Sequence, residues 1–532
     1  MTNDLPLTSN RRKVVFVIAV TVLFCLPVLT IAQYIAHLRH DERDTWLYAY
    51  YGQQITRGFV LYEQLWDNKP PGMYWVNAAG SWLSGGSITG TIALCAAASA
   101  GACGVAFAAA RRLYGWSTAG AVTAMAAVYL FLYPYHVGGN RPATFFALTE
   151  LAAFLFYCRS FHPSRPAWVS LLPAGLCAGL SVWFKQTGMA VAAGIVLHHV
   201  FCAARASMPA GTIIRRLLTF AAGWALAVGA AAGLLAITSD LGWAWHAVVA
   251  YNHRIVATGA APGGWLRWFG QRQHEAMLAL PAILAAATVL HPIVRWLWPD
   301  RRSPVVDDEG SRPPGLLFVL WAWLVAAVVL ALAGPYQRSA YWGIALPPLV
   351  MLSGHGVFLV LRSGRAAGME RPAIHVVVFV LWAGVMLLVP LVAQVREFAR
   401  QRWLANSDAG HAQFAATVQA VRDHSRPGDA LFVWEYNPKL YWASERSPAI
   451  RYFGATVAEQ LGAAGQALMD ETCALIEEAA PKVIVADPNR VPLTPGRRGN
   501  GGLSLRDFPR WLRAHYHHPE SDRLSHVWVR ND

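Results

Sequence analysis

Charged residues are scarce in this 532-residue chain: only 14% of its residues are Asp, Glu, Lys or Arg, whereas 55% are hydrophobic. A soluble protein carries about a quarter charged residues, so this scarcity excludes an ordinary soluble enzyme and indicates a membrane protein. The formal net charge is nevertheless +14. Because the basic residues are dispersed among short connections and form no face with interleaved aromatic residues, we expect no nucleic acid partner.

Cysteine is also rare, with seven in the chain. Six of these lie in or beside hydrophobic runs, where a free cysteine behaves as a small apolar residue, and only Cys473 lies in the polar tail. This distribution excludes a disulfide framework and a cysteine zinc site. The sequence also lacks a glycine-rich phosphate turn and internal repeats of roughly 20–50 residues, so it indicates neither a nucleotide-binding motif nor a solenoid.

Hydrophobic runs are abundant, and many are long enough to cross a bilayer of about 30 Å, which takes roughly 20 residues. Eleven such runs lie at 14–35, 88–110, 116–135, 142–160, 166–184, 186–204, 213–238, 276–296, 315–333, 341–361 and 373–395. The first is longer than a signal-peptide core and has no small-residue cleavage site after it, so we interpret it as a retained helix. We therefore predict an all-α polytopic membrane protein followed by a polar tail.

Arginines fill every second connection between the predicted spans, beginning with Arg11 and Arg12 ahead of the first. By the positive-inside rule these connections are cytoplasmic. The other connections, which include 36–87 and 239–275, and the tail after 396 are then predicted to face outward. This alternation requires that residues 72–86, a short segment interrupted by small residues, form a helix at the outer surface and do not span the membrane.

The first outward connection carries the most distinctive chemistry of the chain. Asp44 is followed by aromatic residues at 46, 48, 50 and 51, and then by the turn Asp67-Asn68-Lys69-Pro70-Pro71-Gly72. An interfacial aromatic belt with solvated charges is the simpler interpretation of this pattern. Against it, the two prolines stiffen the turn and hold Lys69 at a fixed position. A lysine ammonium is a good phosphate ligand.

The tail from about 403 onward changes in character. Helical patterns at 410–424, 455–479 and 505–517 alternate with strand-like segments at 430–434, 482–486 and 525–530. This spacing is typical of a small α/β domain of about 130 residues. We predict two domains, a transmembrane catalytic domain over 1–400 and a soluble α/β domain over 401–532.

The motif of the first loop, made of Asp44, Gly58, Val60-Leu61-Tyr62 and the turn over 67–72, resembles the first periplasmic loop of integral-membrane GT-C glycosyltransferases. It is most similar to the bacterial branch related to protein O-mannosyltransferases and to the lipid A aminoarabinose and galacturonic acid transferases. Weaker similarity extends to Lys185-Gln186-Thr187, to Tyr341 with Leu346-Pro347-Pro348, and to Gly428-Asp429 with Leu431-Phe432-Val433-Trp434. Such enzymes often have thirteen spans, so the resemblance implies 11–13 here.

Enzymes of this group take a sugar from a polyprenyl-phosphate donor in the bilayer and pass it to an acceptor at the periplasmic face of the bacterial inner membrane. The resemblance therefore implies a glycosyltransferase, with lipid A, a glycan, another lipid or a protein as acceptor. It implies that Asp44 is the catalytic carboxylate that accepts the proton of the acceptor hydroxyl, and that Lys69 binds the donor phosphate. Direct displacement would invert the anomeric centre.

Further residues are candidates for contacts with the substrates. Lys185 and Arg338 are candidates for the same phosphate, although either could equally be a snorkelling residue at the membrane surface. Weaker candidates for the sugar or acceptor are Asp67, Asn68, Tyr251, His253, Arg254 and Tyr341, and the segment 239–275 is as readily interpreted as an interfacial amphipathic helix.

We expect that no cofactor is required. A divalent cation held by Asp41, Glu42 and Asp44 is the open alternative, because hard cations prefer carboxylate oxygens. Adjacent acidic residues near a helix start are, however, usually solvated caps.

Two positions depart from the pattern of the group. Many relatives have a glutamate at the outer start of the helix that begins here near 142, where this chain has Asn140-Arg141-Pro142, and a His-Tyr pair where it has Ala340-Tyr341. The first difference indicates a different sugar or another way of neutralising the phosphate. Glu150, the only carboxylate well inside a predicted span, is interpreted as a structural polar contact.

Two other functions remain open. A transporter or flippase of lipid-linked sugars predicts inverted repeats and ionisable residues near the midplane, and this sequence offers little beyond Glu150. A non-catalytic assembly partner is the third possibility, although the presence of both Asp44 and Lys69 argues against it.

Overall fold

A computed structural model describes residues 43–130, 140–259, 285–286, 288, 315–333, 342–366, 408–454, 465–486, 508–519 and 526–531. These residues belong to two compact units. The helical unit contains the described parts of 92–231 and 263–396, and the mixed unit contains those of 37–91, 232–262 and 397–532. Whether the tail is a domain with a boundary near 400 stays a prediction.

Helices make up most of the described chain. In chain order they are α1 (Arg43–Thr56), α2 (Gly72–Leu83), α3 (Thr89–Tyr114), α4 (Trp116–Tyr129), α5 (Pro142–Arg159), α6 (Trp168–Phe184), α7 (Ala190–Ala204), α8 (Ala210–Thr238), α9 (Leu241–Trp245), α10 (Asn252–Gly259), α11 (Leu316–Leu332), α12 (Leu346–Ala366), α13 (Asp408–Asp423), α14 (Pro438–Ser444), α15 (Gln466–Ala479) and α16 (Phe508–His515). A π-helical turn, His246–Tyr251, joins α9 to α10, and 3₁₀ turns at Gln186–Met189 and Gly343–Ala345 precede α7 and α12.

Eight of the eleven predicted spans coincide with described helices, namely α3 to α8, α11 and α12. Three stretches, Thr89–Tyr114, Gln186–Ala204 and Ala210–Thr238, are long and apolar enough to cross a membrane, and shorter apolar helices accompany them. The apolar helices confirm a membrane protein, whereas the number of spans stays a prediction. The predicted spans 14–35 and 373–395, and most of 276–296, lie outside the described residues.

Helix α2 corresponds to the segment predicted to lie at the outer surface. It has 12 residues and is therefore about 18 Å long, too short for a hydrocarbon core of about 30 Å. The prediction of a short helix here is thus confirmed, whereas its place outside the membrane and the side on which it lies stay predictions.

The tail forms the predicted sheet. Its strands are β1 (Ala430–Val433), β2 (Ser447–Pro448), β3 (Val483–Val485), β4 (Tyr516–His517) and β5 (Val527–Arg530), in the order β2-β1-β3-β5-β4. Strand β1 pairs in parallel with both β2 and β3, while β5 runs antiparallel to β3 and β4. The three predicted strands are therefore present, and β2, β4 and α14 were not predicted.

The aromatic residues of the first connection are not a membrane belt, and this interpretation was wrong. They lie on α1, and Trp46, Tyr48, Tyr50 and Tyr51 are all buried. Tyr50 packs against Tyr441 of α14 with ring centroids 5.5 Å apart, and its hydroxyl donates to the carbonyl oxygen of Arg446 at 2.7 Å. The sequence alone could not distinguish burial in lipid headgroups from burial against another part of the chain.

Small residues bring α6 and α8 into close contact in the helical unit. A methyl group on Gly175 of α6 would overlap the carbonyl oxygen of Phe220, and one on Gly223 of α8 would overlap the carbonyl oxygen of Leu172. Gly179 lies one turn after Gly175 and faces the same helix. This spacing of small residues is typical of close helix packing in membranes.

We predict that Gly175→Ala destabilises the protein, because the added methyl group must push α8 away, at a cost of about 1–3 kcal/mol. The matched control is Gly229→Ala on α8, where an added methyl group meets no atom within 4 Å. Thermal unfolding of the detergent-solubilised protein measures both effects. An unchanged Tm for Gly175→Ala would contradict the packing described.

Candidate active site

Helix α1 places Asp44 and two tyrosines on one face. Asp44 lies in the first turn, where the helix dipole favours a negative charge, and Tyr48 and Tyr51 follow at intervals of four and three residues, which are neighbours on a helix surface. Both tyrosine rings pack against Tyr74 of α2, with centroids 5.7 and 5.5 Å apart. The two rings are buried, whereas the Asp44 side chain is 39% exposed.

The turn before α2 is held by hydrogen bonds to Asp67. The Asp67 Oδ1 atom accepts from the backbone N–H of Asn68 at 2.6 Å, and its Oδ2 atom accepts from the Tyr74 hydroxyl at 2.6 Å. The Tyr62 hydroxyl donates to the carbonyl oxygen of Lys69 at 2.8 Å. The backbone that carries Lys69 is therefore fixed on both sides by buried side chains.

Tyr62 adopts a backbone conformation that favours glycine, with φ of 68°. Its N–H donates to the carbonyl oxygen of Leu65 at 2.9 Å, and its side chain is buried. Such a conformation costs on the order of 1–3 kcal/mol and persists where the surroundings enforce it, which is common at functional sites. Here it directs the Tyr62 hydroxyl toward the Lys69 backbone.

The Lys69 ammonium lies between two carboxylates. Its Nζ atom is 3.2 Å from Oδ2 of Asp67 and 3.9 Å from Oδ1 of Asp44, and it lies 5.3 Å from the centroid of the Tyr48 ring. Tyr436 follows β1 in the chain, and its hydroxyl donates to the same Oδ1 atom of Asp44 at 3.3 Å. The Lys69 side chain is 30% exposed, so both Asp44 and Lys69 are open to a ligand.

The carboxylates keep Lys69 charged. Burial is the largest single influence on the pKa of Lys69 and lowers it, but Asp44 and Asp67 act in the opposite direction and together prevail, so that this pKa lies well above its usual value. Burial, followed by the charge of Asp44, raises the pKa of Tyr436 well above its usual value. At neutral pH Lys69 is therefore an ammonium ion and Tyr436 a hydrogen-bond donor.

A reciprocal pair of amides joins the turn to α10. The Asn68 Nδ2 atom donates to Oδ1 of Asn252 at 3.0 Å, and the Asn252 Nδ2 atom donates to the carbonyl oxygen of Asn68 at 2.6 Å. Beside this pair, the buried ring of Tyr251 packs edge-on against Trp66 at 4.7 Å. Tyr251 thus supports the turn, while His253 and Arg254 on α10 are exposed.

The structure brings together Asp44, Asp67, Asn68 and Lys69 in the mixed unit. Of the other candidates, Lys185 lies at the end of α6 in the helical unit. Glu150 belongs to the same unit and is fully buried on α5. The predicted residues that lie outside the described part of the chain are Asp41, Glu42, Arg338 and Tyr341.

Sequence reasoning missed Tyr436 and Tyr74, whereas Asn252 lies in the segment 239–275 that was considered for sugar or acceptor binding. A signal for Tyr436 was present, because it comes just after the predicted strand 430–434, and ligand sites of α/β sheets lie beyond the carboxyl ends of parallel strands. No comparable signal marks Tyr74, and nothing in the sequence shows that Asn252 bonds to the turn.

The metal alternative receives no support from the described ranges, in which no group of three or more His, Cys, Asp or Glu side chains could hold an ion. Asp41 and Glu42, two of its three proposed ligands, are not among those residues. A divalent cation at Asp44 therefore stays a hypothesis.

Comparison with known proteins gives structural matches only. No protein-family model matches the sequence, and no curated protein does. The structure matches that of ArnT from Cupriavidus metallidurans bound to undecaprenyl phosphate, over 88% of this chain and 94% of ArnT, with a TM-score of 0.56 and 16% sequence identity. It also matches the archaeal oligosaccharyltransferase AglB from Archaeoglobus fulgidus over 88% of this chain and 69% of AglB, with a TM-score of 0.47 and 15% identity.

The match to ArnT extends over nearly the whole length of both proteins. At 16% identity it is a likeness of fold and not of residues. The chain therefore has the fold of ArnT, and its resemblance to the GT-C glycosyltransferases is confirmed at the level of the fold.

Proposed function

We propose that this chain is a glycosyltransferase that moves a sugar from a polyprenyl-phosphate donor to an acceptor hydroxyl at the periplasmic face of the bacterial inner membrane. The observation that carries the proposal is the 3.9 Å approach of Lys69 to Asp44, with both side chains partly exposed. An anionic proton acceptor and a cationic phosphate ligand are the two groups this reaction needs. The fold shared with ArnT, whose structure contains undecaprenyl phosphate, supports a lipid-linked donor.

The proposed transfer needs one general base and no general acid. The acceptor oxygen attacks the anomeric carbon and loses its proton to Asp44, while the bond from that carbon to the phosphate oxygen breaks and the polyprenyl phosphate leaves with the electron pair. A phosphate leaves as an anion, so it needs compensation of charge rather than a general acid. Lys69 supplies this compensation in the proposal.

The charge of the site supports further phosphate ligands beside Lys69. Asp44, Asp67 and Lys69 together carry a formal charge of −1, and Asp67 is held as an acceptor by Tyr74 and the Asn68 N–H. An incoming phosphate would be repelled by this surplus unless further cations approach it. Lys185 and Arg338 are proposed for that role.

The remaining candidates take different proposed roles. Asp67, Asn68 and Tyr251 are committed to contacts within the mixed unit, so we propose that they hold the turn. His253 and Arg254 are exposed on α10, and we propose that they contact the acceptor or the sugar.

We predict that Asp44→Asn lowers kcat about 10²- to 10⁴-fold, because an amide cannot accept the proton of the acceptor. The purified protein is given labelled undecaprenyl-phosphate sugars, namely the aminoarabinosyl, galacturonosyl and mannosyl forms, with a lipid and lipopolysaccharide extract of the envelope as acceptor. Release of undecaprenyl phosphate and labelling of the extract are measured.

The matched control for this experiment is Asp470→Asn, an exposed aspartate of α15 that bonds only to the neighbouring Gln466 in the described contacts. It should keep full activity. Full turnover in Asp44→Asn would contradict the proposal. Movement of the labelled lipid across a proteoliposome bilayer, with its sugar–phosphate bond intact, would instead show a transporter.

Removing the ammonium group should weaken binding of the phosphate. We predict that Lys69→Met raises the Kd for undecaprenyl phosphate roughly 10- to 100-fold, the effect of losing one hydrogen bond to a charged group. The control is Lys439→Met, in the same compact unit, where the ammonium faces the Phe414 ring. Equal affinity of Lys69→Met and the wild type would contradict a role of Lys69 in phosphate binding.

The raised pKa values of Lys69 and Tyr436 determine the alkaline side of the pH profile of kcat. Activity should fall as the pH drops, because Asp44 must be ionised, and should show no alkaline limb below about pH 10, because Lys69 and Tyr436 both keep their protons beyond their usual values. Return of alkaline samples to neutral pH controls for unfolding. A reversible alkaline limb below about pH 10 would contradict a Lys69 ammonium held between two carboxylates.

A further inference from the structure

Tyr436 connects the C-terminal segment to the side chain on which the proposed reaction depends. It is separated from Asp44 by 392 positions in sequence, yet its hydroxyl donates to Oδ1 of Asp44 at 3.3 Å. The same oxygen faces the Lys69 ammonium at 3.9 Å. One oxygen atom of Asp44 thus accepts from a neutral donor and also faces a cation.

Hydrogen bonds on both sides of Tyr436 fix the backbone that carries it. Tyr436 lies between β1 and α14, and α14 begins with Pro438 after a cap in which Oδ1 of Asn437 accepts from the Leu440 N–H. The Tyr441 hydroxyl of α14 in turn accepts from the backbone N–H of Val433, the last residue of β1, at 2.8 Å. Strand, connection and helix are therefore tied together on both sides of Tyr436.

The helix α14 is in turn fixed to α1, which carries Asp44. Trp442 packs against Trp46 with ring centroids 6.0 Å apart, and Tyr441 packs against Tyr50 at 5.5 Å. Both donor and acceptor of the Tyr436–Asp44 hydrogen bond thus belong to elements that pack directly against each other. This arrangement is expected when a side chain sets the orientation of a neighbour, because orientation requires that neither partner moves.

We propose that the Tyr436 hydroxyl is a positioning group for the reaction: it holds the Asp44 carboxylate in the orientation from which that carboxylate takes the proton of the acceptor hydroxyl. This inference rests on the proposed glycosyltransferase function and extends it to the C-terminal segment, which thereby becomes part of the reaction centre. Tyr436 itself neither gains nor loses a proton during transfer. Its O–H bond stays intact while the proton of the acceptor moves to Asp44.

The groups that face Asp44 determine what removal of this hydroxyl does. Lys69 and Tyr436 contact Asp44 directly, and Tyr48 and Asp67 adjoin the Lys69 ammonium. Lys69 and Tyr436 favour the ionised form of Asp44, whereas Asp67 opposes it through its like charge. Loss of the Tyr436 hydroxyl therefore leaves a carboxylate that protonates more readily as the pH falls.

The test is Tyr436→Phe, measured with the donor and the envelope extract that support turnover in the wild type. We expect kcat to fall about 10- to 100-fold, the usual effect of removing a partner that orients a functional side chain, while KM for the donor stays within about twofold because Lys69 is unchanged. The acid limb of the kcat profile should shift to higher pH, because a hydrogen bond to the charged form of Asp44 has been lost.

The matched control is Tyr516→Phe, which removes another buried hydroxyl from the same compact unit. That hydroxyl donates to the carbonyl oxygen of Pro481 at 2.7 Å, on the strand pair β4–β5 and away from α1 in sequence. The Tyr516→Phe substitution should leave both kcat and the acid limb of its pH profile unchanged. If Tyr436→Phe lowers the yield of folded protein, the position of its acid limb still decides the question, because that position does not depend on the amount of active enzyme.

Two results would overturn the assignment of Tyr436. One is an unchanged kcat and acid limb in Tyr436→Phe. The other is a lower activity with the acid limb at its wild-type position, which would show a role in stability alone. Wild-type protein that fails to release undecaprenyl phosphate from any donor would instead refute the proposed function, so the two failures are distinguishable.

Discussion

The ion pair of Lys69 with Asp67 and Asp44 is the contact on which the rest of the site depends. A partly buried ammonium is costly unless carboxylates compensate it, and here two carboxylates do so from two different elements, α1 and the turn before α2. The turn is kept in place by Tyr62, Tyr74 and the Asn68–Asn252 pair. Most of the polar contacts around the site thus serve one purpose, which is to hold a cation next to an exposed aspartate.

Three separate stretches of the chain are needed to build this site. The first connection supplies the charges, α10 supplies Asn252, and the C-terminal segment supplies Tyr436 together with the aromatic residues that bury the far side of α1. All three belong to one compact unit, and in the proposed function the C-terminal segment takes part in the reaction centre.

Much of the fold could be predicted because hydrophobic run length and strand periodicity are local signals, as for α3 to α8 and for β1 and β3. The pairing of Asp44 with Lys69 was predicted from the resemblance of the first-loop motif to the GT-C glycosyltransferases. The contacts of Tyr436 and Asn252 could not be predicted, because they join positions 392 and 184 residues apart, and no local pattern encodes such a distance.

Helix α14 was missed because seven residues are too few to show a period, although Asn437 followed by Pro438 is a typical helix start. The burial of the aromatic residues of α1 within the protein could not be predicted, because hydrophobicity does not reveal which apolar surroundings a residue occupies.

The claim that two carboxylates hold Lys69 in its charged form can be measured directly. The chain has only five lysines, at 13, 69, 185, 439 and 482, so NMR of protein labelled with ¹³C and ¹⁵N in lysine, with Lys69→Met to assign the signal, can follow this one ammonium group. We expect Lys69 to keep its proton well above pH 10.5, its usual pKa, and to titrate at lower pH when Asp67 is replaced by Asn. A Lys69 signal that titrates at or below pH 10.5 in the wild type would contradict this expectation.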